Sequence, residues 1–516
     1  MVDLSNSLEQ NLTAHLGQIG TGSMANEKRR KLILVNPVNR LRIGFTNTQG
    51  THAMPLGLGI VAAVTPDDWV VEMIDEYFEE FTVRPADLVA LTGFTPAAFR
   101  AYEIASMCRE AGIHTVIGGI HASMCSEEAA RFVDTVFTGE AEGAWPQLIA
   151  DFEAGQIRRF YDGGIVDVAS IAAPRRDIYD KYPYVYDLVQ TSRGCPWGCE
   201  FCSVTRMCGK TYRERDVEAV LQELAETKRK LVFFVDDNLV NLKKGAEERA
   251  IELFRGMVNR KLNKTWYSQA AVNFADNEQV LYWARKSGCF MLLMGIEAEN
   301  PNALKDVRKN LNLKRGVSSY DRVFKKMHRH GIGVLAAMIF GMDSDTREDL
   351  YARRDFILNS SIDTYQCTIL TPLPGTVLFN RLDSENRIVM NNYPYDWQQH
   401  DGMIATIRTP NLDRDELDDI MREIWMKLYH KESLRRKMFR TLWNTRSFKT
   451  AYWTYATGHN YGRMFLERFI RRNDTISDKL EWLNEKRSLF LRLTDAVIWL
   501  FYRISWQRML RRSIDR

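Results

Sequence analysis

The sequence predicts an α/β protein in which two series of alternating strands and helices precede a helical C-terminal domain. Five short β-rich runs lie at 31–37, 69–75, 87–93, 114–119 and 134–139. Six more lie at 188–193, 232–237, 266–270, 291–296, 334–340 and 366–370. Helical stretches separate most of these runs, and strands that alternate with helices form parallel sheets. We therefore expect a doubly wound, Rossmann-like N-terminal domain followed by a (β/α)6 partial TIM barrel.

The same pattern divides the chain into four parts. Residues 1–29 are polar and lack periodicity, which is typical of a flexible leader. The predicted parts are the leader at 1–29, the Rossmann-like domain at 30–165, the partial barrel with its connector at 166–394 and the helical domain at 395–516.

Composition excludes several classes of protein. The chain has 516 residues, of which 45% are hydrophobic and 26% charged, as expected of a folded multidomain protein. No window approaches eighteen uninterrupted apolar residues, and the N-terminus has no basic flank before an apolar run. Eight cysteines are too few for a disulfide framework in a chain of this length. These features predict a cytoplasmic protein.

The net charge of +4 is unevenly distributed along the chain, because residues 431–516 contain 20 Lys and Arg but only 8 Asp and Glu. A basic tail on an acidic body suggests an anionic partner, although a solvated helical face has the same composition. Residues 494–510 mix Trp and Phe with Arg in an apolar run too short to span a bilayer. This mixture predicts peripheral contact with the inner face of the membrane, and the alternative is a helix packed into the core. With no recognisable RNA-binding module, nucleic acid is the less favoured partner.

Three cysteines form the most specific motif. Cys195, Cys199 and Cys202 have the spacing CxxxCxxC immediately after the first predicted barrel strand. A loop there allows three thiolates to converge on a [4Fe–4S] cluster and leaves one iron with an open coordination position, as in a reactive site. The alternative is a zinc site or unrelated thiols, but zinc favours four ligands and no fourth lies close in sequence.

With Phe201 before the third cysteine, the motif resembles that of the radical S-adenosylmethionine (SAM) superfamily over about residues 185–390. The resemblance implies that SAM chelates the open iron and that reduction yields a 5′-deoxyadenosyl radical. It also implies SAM contacts at Asp236 and Asp237, and at Gln269 and Glu297. The alternative role for Asp237 is that of a helix cap, and the alternative for Glu297 is that of an ion-pair partner.

Cys208 follows the motif by six residues. It is a candidate catalytic thiol or hydrogen donor near the radical, and the alternative is a thiol without a role.

The first domain resembles the cobalamin-binding domain that precedes the barrel in one subgroup of that superfamily. The resemblance rests on strand-end loops, where small residues let a nucleotide approach the backbone. The implied cobalamin contacts are Leu56, Gly57, Thr92, Gly118, Gly119, His121, Gly139 and Glu140. The DxHxxG cobalt-binding loop of other cobalamin proteins is missing, as is common in this subgroup. His52 could approach the cobalt, and a Rossmann-like unit without cofactor is the alternative for the whole domain.

Together these features predict a cobalamin-dependent radical SAM enzyme that methylates an unactivated carbon of a lipid or tetrapyrrole. The alternatives are an oxidative cyclase or C–C coupling enzyme related to the anaerobic magnesium-protoporphyrin monomethyl ester cyclase, an RNA-modifying enzyme that uses the basic tail, and a non-catalytic cobalamin sensor. The implied reductant is a flavodoxin or ferredoxin.

Overall fold

The computed structural model describes residues 29–42, 53–169 and 171–470. Nearly all of the predicted leader, His52 and the basic aromatic segment 494–510 lie outside these residues. Among the described helices, none combines the length and the apolar content that crossing a bilayer requires.

The N-terminal domain is built on a six-stranded parallel sheet with the order β2-β1-β3-β4-β5-β6. Its strands are β1 (Lys31–Asn36), β2 (Val70–Asp75), β3 (Leu88–Thr92), β4 (His114–Gly118), β5 (Thr135–Thr138) and β6 (Phe160–Asp162). Its helices are α1 (Leu56–Ala63), α2 (Ala98–Glu110), α3 (Ile120–Met124), α4 (Ser126–Ala129) and α5 (Trp145–Glu153). The five predicted strands are present, and β6 adds a sixth that the sequence did not indicate.

Both faces of this sheet are covered. Along β1, Leu32 and Leu34 belong to one apolar cluster and Ile33 and Val35 to another, and all four are fully buried. Strands buried on both faces read as continuous apolar runs, as β1 does. A doubly wound sheet of this order binds ligands beyond the carboxyl ends of its strands, which in this protein face the second domain.

The second domain is an open barrel of six parallel strands in sequential order. The barrel strands are β7 (Tyr186–Val189), β10 (Leu231–Phe234), β11 (Thr265–Ala270), β12 (Cys289–Glu297), β13 (Gly333–Phe340) and β14 (Thr364–Ile369). The helices along it are α6 (Val204–Met207), α7 (Val217–Glu226), α8 (Ala246–Asn259), α9 (Glu278–Ser287), α10 (Pro301–Asp306), α11 (Asn310–Arg315), α12 (Tyr320–Arg329), α13 (Arg347–Asn359) and α14 (Val377–Ser384). In the described chain β7 and β14 do not pair with each other, so the predicted partial barrel is confirmed.

The first barrel strand differs from the prediction of 188–193. The parallel strand ends at Val189, and Ser192–Arg193 forms a short strand, β8, that pairs antiparallel with β9 (Arg213–Glu214). The chain leaves the barrel early because β8 and β9 close the loop that contains the cysteines.

Three helices follow the barrel: α15 (Arg414–Leu428), α16 (Lys431–Thr445) and α17 (Phe448–Ile470). α15 lies beside β13 and α13, whereas α16 and α17 lie at the amino end of the barrel. Trp453 and Tyr461 of α17 pack against an apolar cluster that includes Leu231 and Leu335. The amino end of the barrel is therefore filled, and space for chemistry is left at the carboxyl ends of the strands.

The segment between α14 and α15 joins the two domains. Trp397 is buried, and its indole N–H donates to both carboxylate oxygens of Glu128 at 3.0 Å. Glu128 also accepts from the hydroxyl of Tyr102 at 3.0 Å and lies 3.3 Å from Nε2 of His121. This contact fixes the N-terminal domain over the carboxyl end of the barrel.

Candidate functional site

The cysteine loop, residues 194–212, connects β8 to β9, and two of its three glycines lie beside the cysteines of the motif. Gly194 has a φ of +91°, and a Cβ there would lie 2.3 Å from the carbonyl oxygen of Thr211. Gly198, between Cys195 and Cys199, has a φ of +59°. Glycine adopts such angles without the steric cost other residues incur. The two glycines let the loop close against its own end and turn between two cysteines.

Glu200 anchors the middle of the loop to the barrel. Its backbone N–H donates to the carbonyl of Val307 at 3.1 Å, and its carbonyl accepts from the N–H of Leu378 at 3.0 Å. Its buried carboxylate pairs with Arg308 at 2.8 Å. These bonds hold the segment between Cys199 and Cys202 against α10 and α14.

Cys195, Cys199 and Cys202 line one cavity of about 810 Å³. Burial raises the pKa of all three thiols, that of Cys202 to about 12. Because the thiolate is the form that binds iron, a bound cation would offset the cost of burying three such ligands. Within the described chain, no three His, Cys, Asp or Glu side chains could surround a single metal ion. A four-iron cluster is larger than one ion, so the cluster assignment rests on the spacing and on the shared cavity.

Polar side chains from the next strands line the same cavity. Asp237 and Asn238 follow β10, and Gln269 lies in β11. Asp237 accepts from the N–H of Gly194 at 3.3 Å, and burial raises its pKa to about 6. We call these polar side chains at the carboxyl ends of the strands the barrel rim. Asp237 joins this rim to the first residue of the cysteine loop.

Two buried donors of the lining have no protein partner. They are the indole N–H of Trp197, inside the CxxxC segment, and the side-chain amide of Asn238. Buried polar groups are almost always hydrogen-bonded in native proteins. Two unsatisfied donors beside the cysteines fit a site built to hold the acceptor groups of a bound molecule.

Glu297 also lines the cavity, at a bulge in β12. The register with β13 shifts between Gly295 and Glu297, and Glu297 has a φ of +62°, which is uncommon outside glycine. Its carboxylate lies 2.7 Å from Nζ of Lys309. A Cβ on Gly295 would fall 2.6 Å from the same ammonium, so glycine leaves room for the pair. The bulge aims both charges into the cavity.

Asp236, a predicted SAM contact, lies apart from the other polar residues of the site. This residue is fully buried and absent from the cavity lining. Its carboxylate accepts from the N–H and the hydroxyl of Thr191 and from the hydroxyl of Ser192. Asp236 therefore ties the end of β10 to the chain just before the cysteine loop, and its contact with SAM stays a prediction.

Cys208 does lie in the cavity lining. Burial raises the pKa of its thiol to about 12, so the thiol is neutral at physiological pH. A neutral thiol is a hydrogen donor rather than a nucleophile. Its catalytic role remains a prediction.

The N-terminal domain supplies one wall of the cavity through residues beside those predicted. Phe94, Thr95 and Pro96 come directly after β3, and Ile120 and Met124 belong to α3. The eight predicted cobalamin contacts are not in this lining: Leu56, Gly57, Thr92, Gly118, Gly119, His121, Gly139 and Glu140.

Three of these eight residues have clear structural roles. His121 is fully buried and contacts Thr95, Tyr102 and Glu128. Gly119 has a φ of +95°, and a Cβ there would lie 3.1 Å from Oγ1 of Thr92. A Cβ on Gly139 would lie 2.6 Å from the backbone nitrogen of Gly164. Their contact with a cofactor stays a prediction.

Glu140 ties the N-terminal domain to the cysteine loop. Its carboxylate pairs with Arg193 at 3.0 Å and with Arg213 at 2.5 Å. These arginines belong to β8 and β9, which carry the two ends of the loop. The carboxylate of Glu140 is thus paired with two arginines of the loop ends, and its predicted contact with cobalamin stays a prediction.

Sequence reasoning missed Lys309 and the apolar wall. Phe94, Thr95 and Pro96 lie two to four residues after the predicted contact Thr92, so extending that prediction along the loop would have found them. Lys309 has no motif around it, and only the folding of α10 and α11 over β12 brings it to Glu297.

A CxxxCxxC loop after the first strand of an open βα barrel, with polar groups at the strand ends, defines the radical SAM class. Residues 189–357 match the model of the Radical SAM superfamily. The chain thus contains a radical SAM domain, with SAM and a [4Fe–4S] cluster as its cofactors.

Similarity extends beyond this domain. The chain is 28% identical over 428 residues to the bacteriochlorophyllide d C-12(1)-methyltransferase of Chlorobaculum tepidum, covering 80% of this chain and 90% of that protein. It is 28% identical over 347 residues to the hopanoid C-2 methylase of Rhodopseudomonas palustris, covering 65% of each. The fold matches the radical SAM methyltransferase TsrM of Kitasatospora setae, solved with cobalamin and a [4Fe–4S] cluster bound. That match has a TM-score of 0.61 at 14% identity and covers 86% of this chain and 99% of TsrM.

Proposed function

We propose that this protein transfers a methyl group from cobalamin to an unactivated carbon of an apolar substrate, in a reaction started at its [4Fe–4S] cluster. The observation that carries the proposal is the single cavity shared by the three cysteines, the polar barrel rim and the wall of the N-terminal domain. The two proteins with sequence similarity reported above are a methyltransferase and a methylase by name, which supports the same reaction type.

When bound, the cluster and SAM would supply the 5′-deoxyadenosyl radical, and cobalamin would carry the methyl group. The thiolates of Cys195, Cys199 and Cys202 would hold three irons of the cluster. Asp237 would accept a hydrogen bond from the SAM ammonium, and Lys309 would pair with the SAM carboxylate.

The remaining rim residues would orient SAM. Gln269 and the unpaired amide of Asn238 would donate to oxygen atoms of the ribose or carboxylate. Glu297 sets the position of Lys309 through their 2.7 Å contact. The apolar wall of Phe94, Pro96 and Ile120 would exclude water between the corrin and the substrate.

The test is anaerobic reconstitution with iron, sulfide and hydroxocobalamin, followed by mass spectrometry of the products formed from SAM. Methyl transfer requires both S-adenosylhomocysteine and 5′-deoxyadenosine. The formation of 5′-deoxyadenosine alone would contradict methyl transfer and favour cyclisation or C–C coupling.

Two partner assignments belong to this proposal. The reductant would be a flavodoxin or ferredoxin, tested by replacing a chemical reductant with each protein in the same assay.

Residues 487–516 would contact anionic lipid. Sedimentation of the full chain and of a chain truncated before residue 487 with liposomes tests this contact, and equal sedimentation of the two would contradict it.

A further inference from the structure

The last barrel strand presents two polar side chains to the cavity. Gln366 and Thr368 lie on one face of β14, while Tyr365 and Cys367 on the other face are fully buried in the apolar core. Side chains alternate along a strand, so Gln366 and Thr368 point in the same direction. Neither side chain makes a hydrogen bond to a protein group that the structure describes. Both are therefore available to a bound molecule.

Small and apolar residues surround this pair. In the register with β13, Gln366 lies beside Ala337 and Thr368 beside Ile339. Ala337 in turn lies beside Gly295 of β12, so the two residues next to Gln366 on the neighbouring strands are small. The Glu297–Lys309 pair fills the space over Gly295, so the room for the apolar body of a substrate lies over Ala337, between that pair and Gln366.

The segment around Gly402, which follows the last barrel strand, closes the cavity beside Thr368. A Cβ on Gly402 would lie 3.2 Å from Cβ of Thr368, and the carbonyl of Gly402 accepts from the N–H of Ile369 at 2.8 Å. This close approach holds the Thr368 side chain in place.

Charge is distributed unevenly around the cavity. Among the described lining residues, Lys309 is the cation, and it is paired with Glu297 on the β12 side. His400 has both ring nitrogens 2.9 Å from backbone carbonyl oxygens, of Pro372 and Met390. Within the described lining, no unpaired cation therefore faces Gln366 and Thr368, and a substrate carboxylate or phosphate there would be buried without a counter-charge.

We propose that Gln366 and Thr368 bind a neutral hydrogen-bonding group, a hydroxyl or a carbonyl oxygen, on an otherwise apolar substrate. The amide and the hydroxyl can each donate and accept, which suits such a group. The inference rests on the proposed methyl transfer and specifies its substrate: a neutral molecule rather than a free acid.

The experiment uses the reconstituted full chain, SAM labelled in its methyl group, and an organic extract of the organism that encodes the protein. Anion exchange divides the extract into a neutral fraction and an acidic fraction. We expect labelled product from the neutral fraction. We expect Gln366→Leu and Thr368→Val each to lower labelling about tenfold, the effect of one lost hydrogen bond to a substrate group. Gln222→Leu, on the exposed surface of α7, is the matched control and should give as much labelled product as the parent protein.

Iron content is measured for every variant, so that a folding defect is recognised. Label mainly in the acidic fraction would overturn the inference and leave methyl transfer standing. Label in the neutral fraction that is unchanged in both variants would overturn the role of the pair. No label in either fraction, without S-adenosylhomocysteine, would overturn the proposed function itself.

Discussion

Two of the three glycines in the cysteine loop, Gly194 and Gly198, are needed for different physical reasons. At Gly194 both the backbone angle and the space forbid a side chain, because a Cβ would meet the carbonyl of Thr211 at 2.3 Å. At Gly198 the angle is left-handed, but a Cβ there would meet no other atom within 4 Å. A left-handed angle costs a non-glycine residue about 1–2 kcal/mol, whereas a backbone clash must displace the chain.

These positions give a matched pair of variants. We expect Gly194→Ala to lose most of its cluster, because the displaced backbone carries Cys195 with it. Gly198→Ala should be destabilised by only about 1–2 kcal/mol and should keep its cluster. Iron per chain and the brown absorbance of the reconstituted protein measure the difference. Equal iron in the two variants would refute the steric account of Gly194.

At the scale of elements, Lys437 joins α16 to the chain ahead of the last barrel strand. Its ammonium group is buried and donates to the carbonyls of Ile357, Ser360 and Ile362 at 2.6, 3.0 and 2.8 Å. The first two carbonyls lie at the C-terminal end of α13, where helix carbonyls lack internal partners. Burial lowers the pKa of Lys437 to about 7.

Replacing this residue should lower stability and change its pH dependence. Lys437→Met removes a donor from three carbonyls, of which that of Ile357 keeps a long hydrogen bond from the hydroxyl of Ser360 at 3.4 Å. Each carbonyl left unsatisfied costs about 1–3 kcal/mol. In the parent, the unfolded lysine binds a proton up to its ordinary pKa while the folded one releases it above about pH 7. The free energy of unfolding should therefore rise with pH between these values.

The Lys437→Met variant should lack this rise in the free energy of unfolding with pH. Thermal unfolding of both proteins across the range of about pH 7 to 10 gives the comparison. Parallel stability curves for the two proteins would contradict the assigned pKa shift.

Elements were more predictable from the sequence than contacts. The five N-terminal strands and the last five barrel strands were predicted from short β-rich runs between helical stretches. The first barrel strand was misplaced because Ser192 and Arg193 look like its continuation, although they pair with Arg213 and Glu214.

Within the site, a local motif predicted the cysteines, and the family resemblance predicted Asp237, Gln269 and Glu297, which line the same cavity as the cysteines. Lys309, Gln366 and Thr368 depend on which strands and helices meet around the cavity. That information is tertiary and leaves no local pattern in the sequence.

Across the whole molecule, a cluster of ion pairs joins the N-terminal domain to both ends of the cysteine loop. Glu140 pairs with Arg193 and Arg213, whose side chains are 7% and 12% exposed, and Glu142 pairs with Arg193 at 2.6 Å. Removing one partner of a buried pair leaves an uncompensated charge and costs about 3–5 kcal/mol. The position of the cysteine loop thus depends on a different domain.

We expect Glu140→Gln to weaken retention of the cluster although the residue lies outside the cavity lining. The matched control is Glu80→Gln, which breaks an exposed pair with Arg40 and should cost less than about 1 kcal/mol. Iron release to a chelator over time measures retention in both variants. Equal release rates would show that the ion pairs do not position the loop.

The central claim is that Cys195, Cys199 and Cys202 hold the cluster at which SAM is cleaved. The most direct test replaces all three with Ala and measures 5′-deoxyadenosine by mass spectrometry after anaerobic reduction in the presence of SAM. We predict that the parent protein forms 5′-deoxyadenosine and that the triple variant forms none and lacks the brown absorbance of the cluster. A triple variant that still forms 5′-deoxyadenosine would contradict this account.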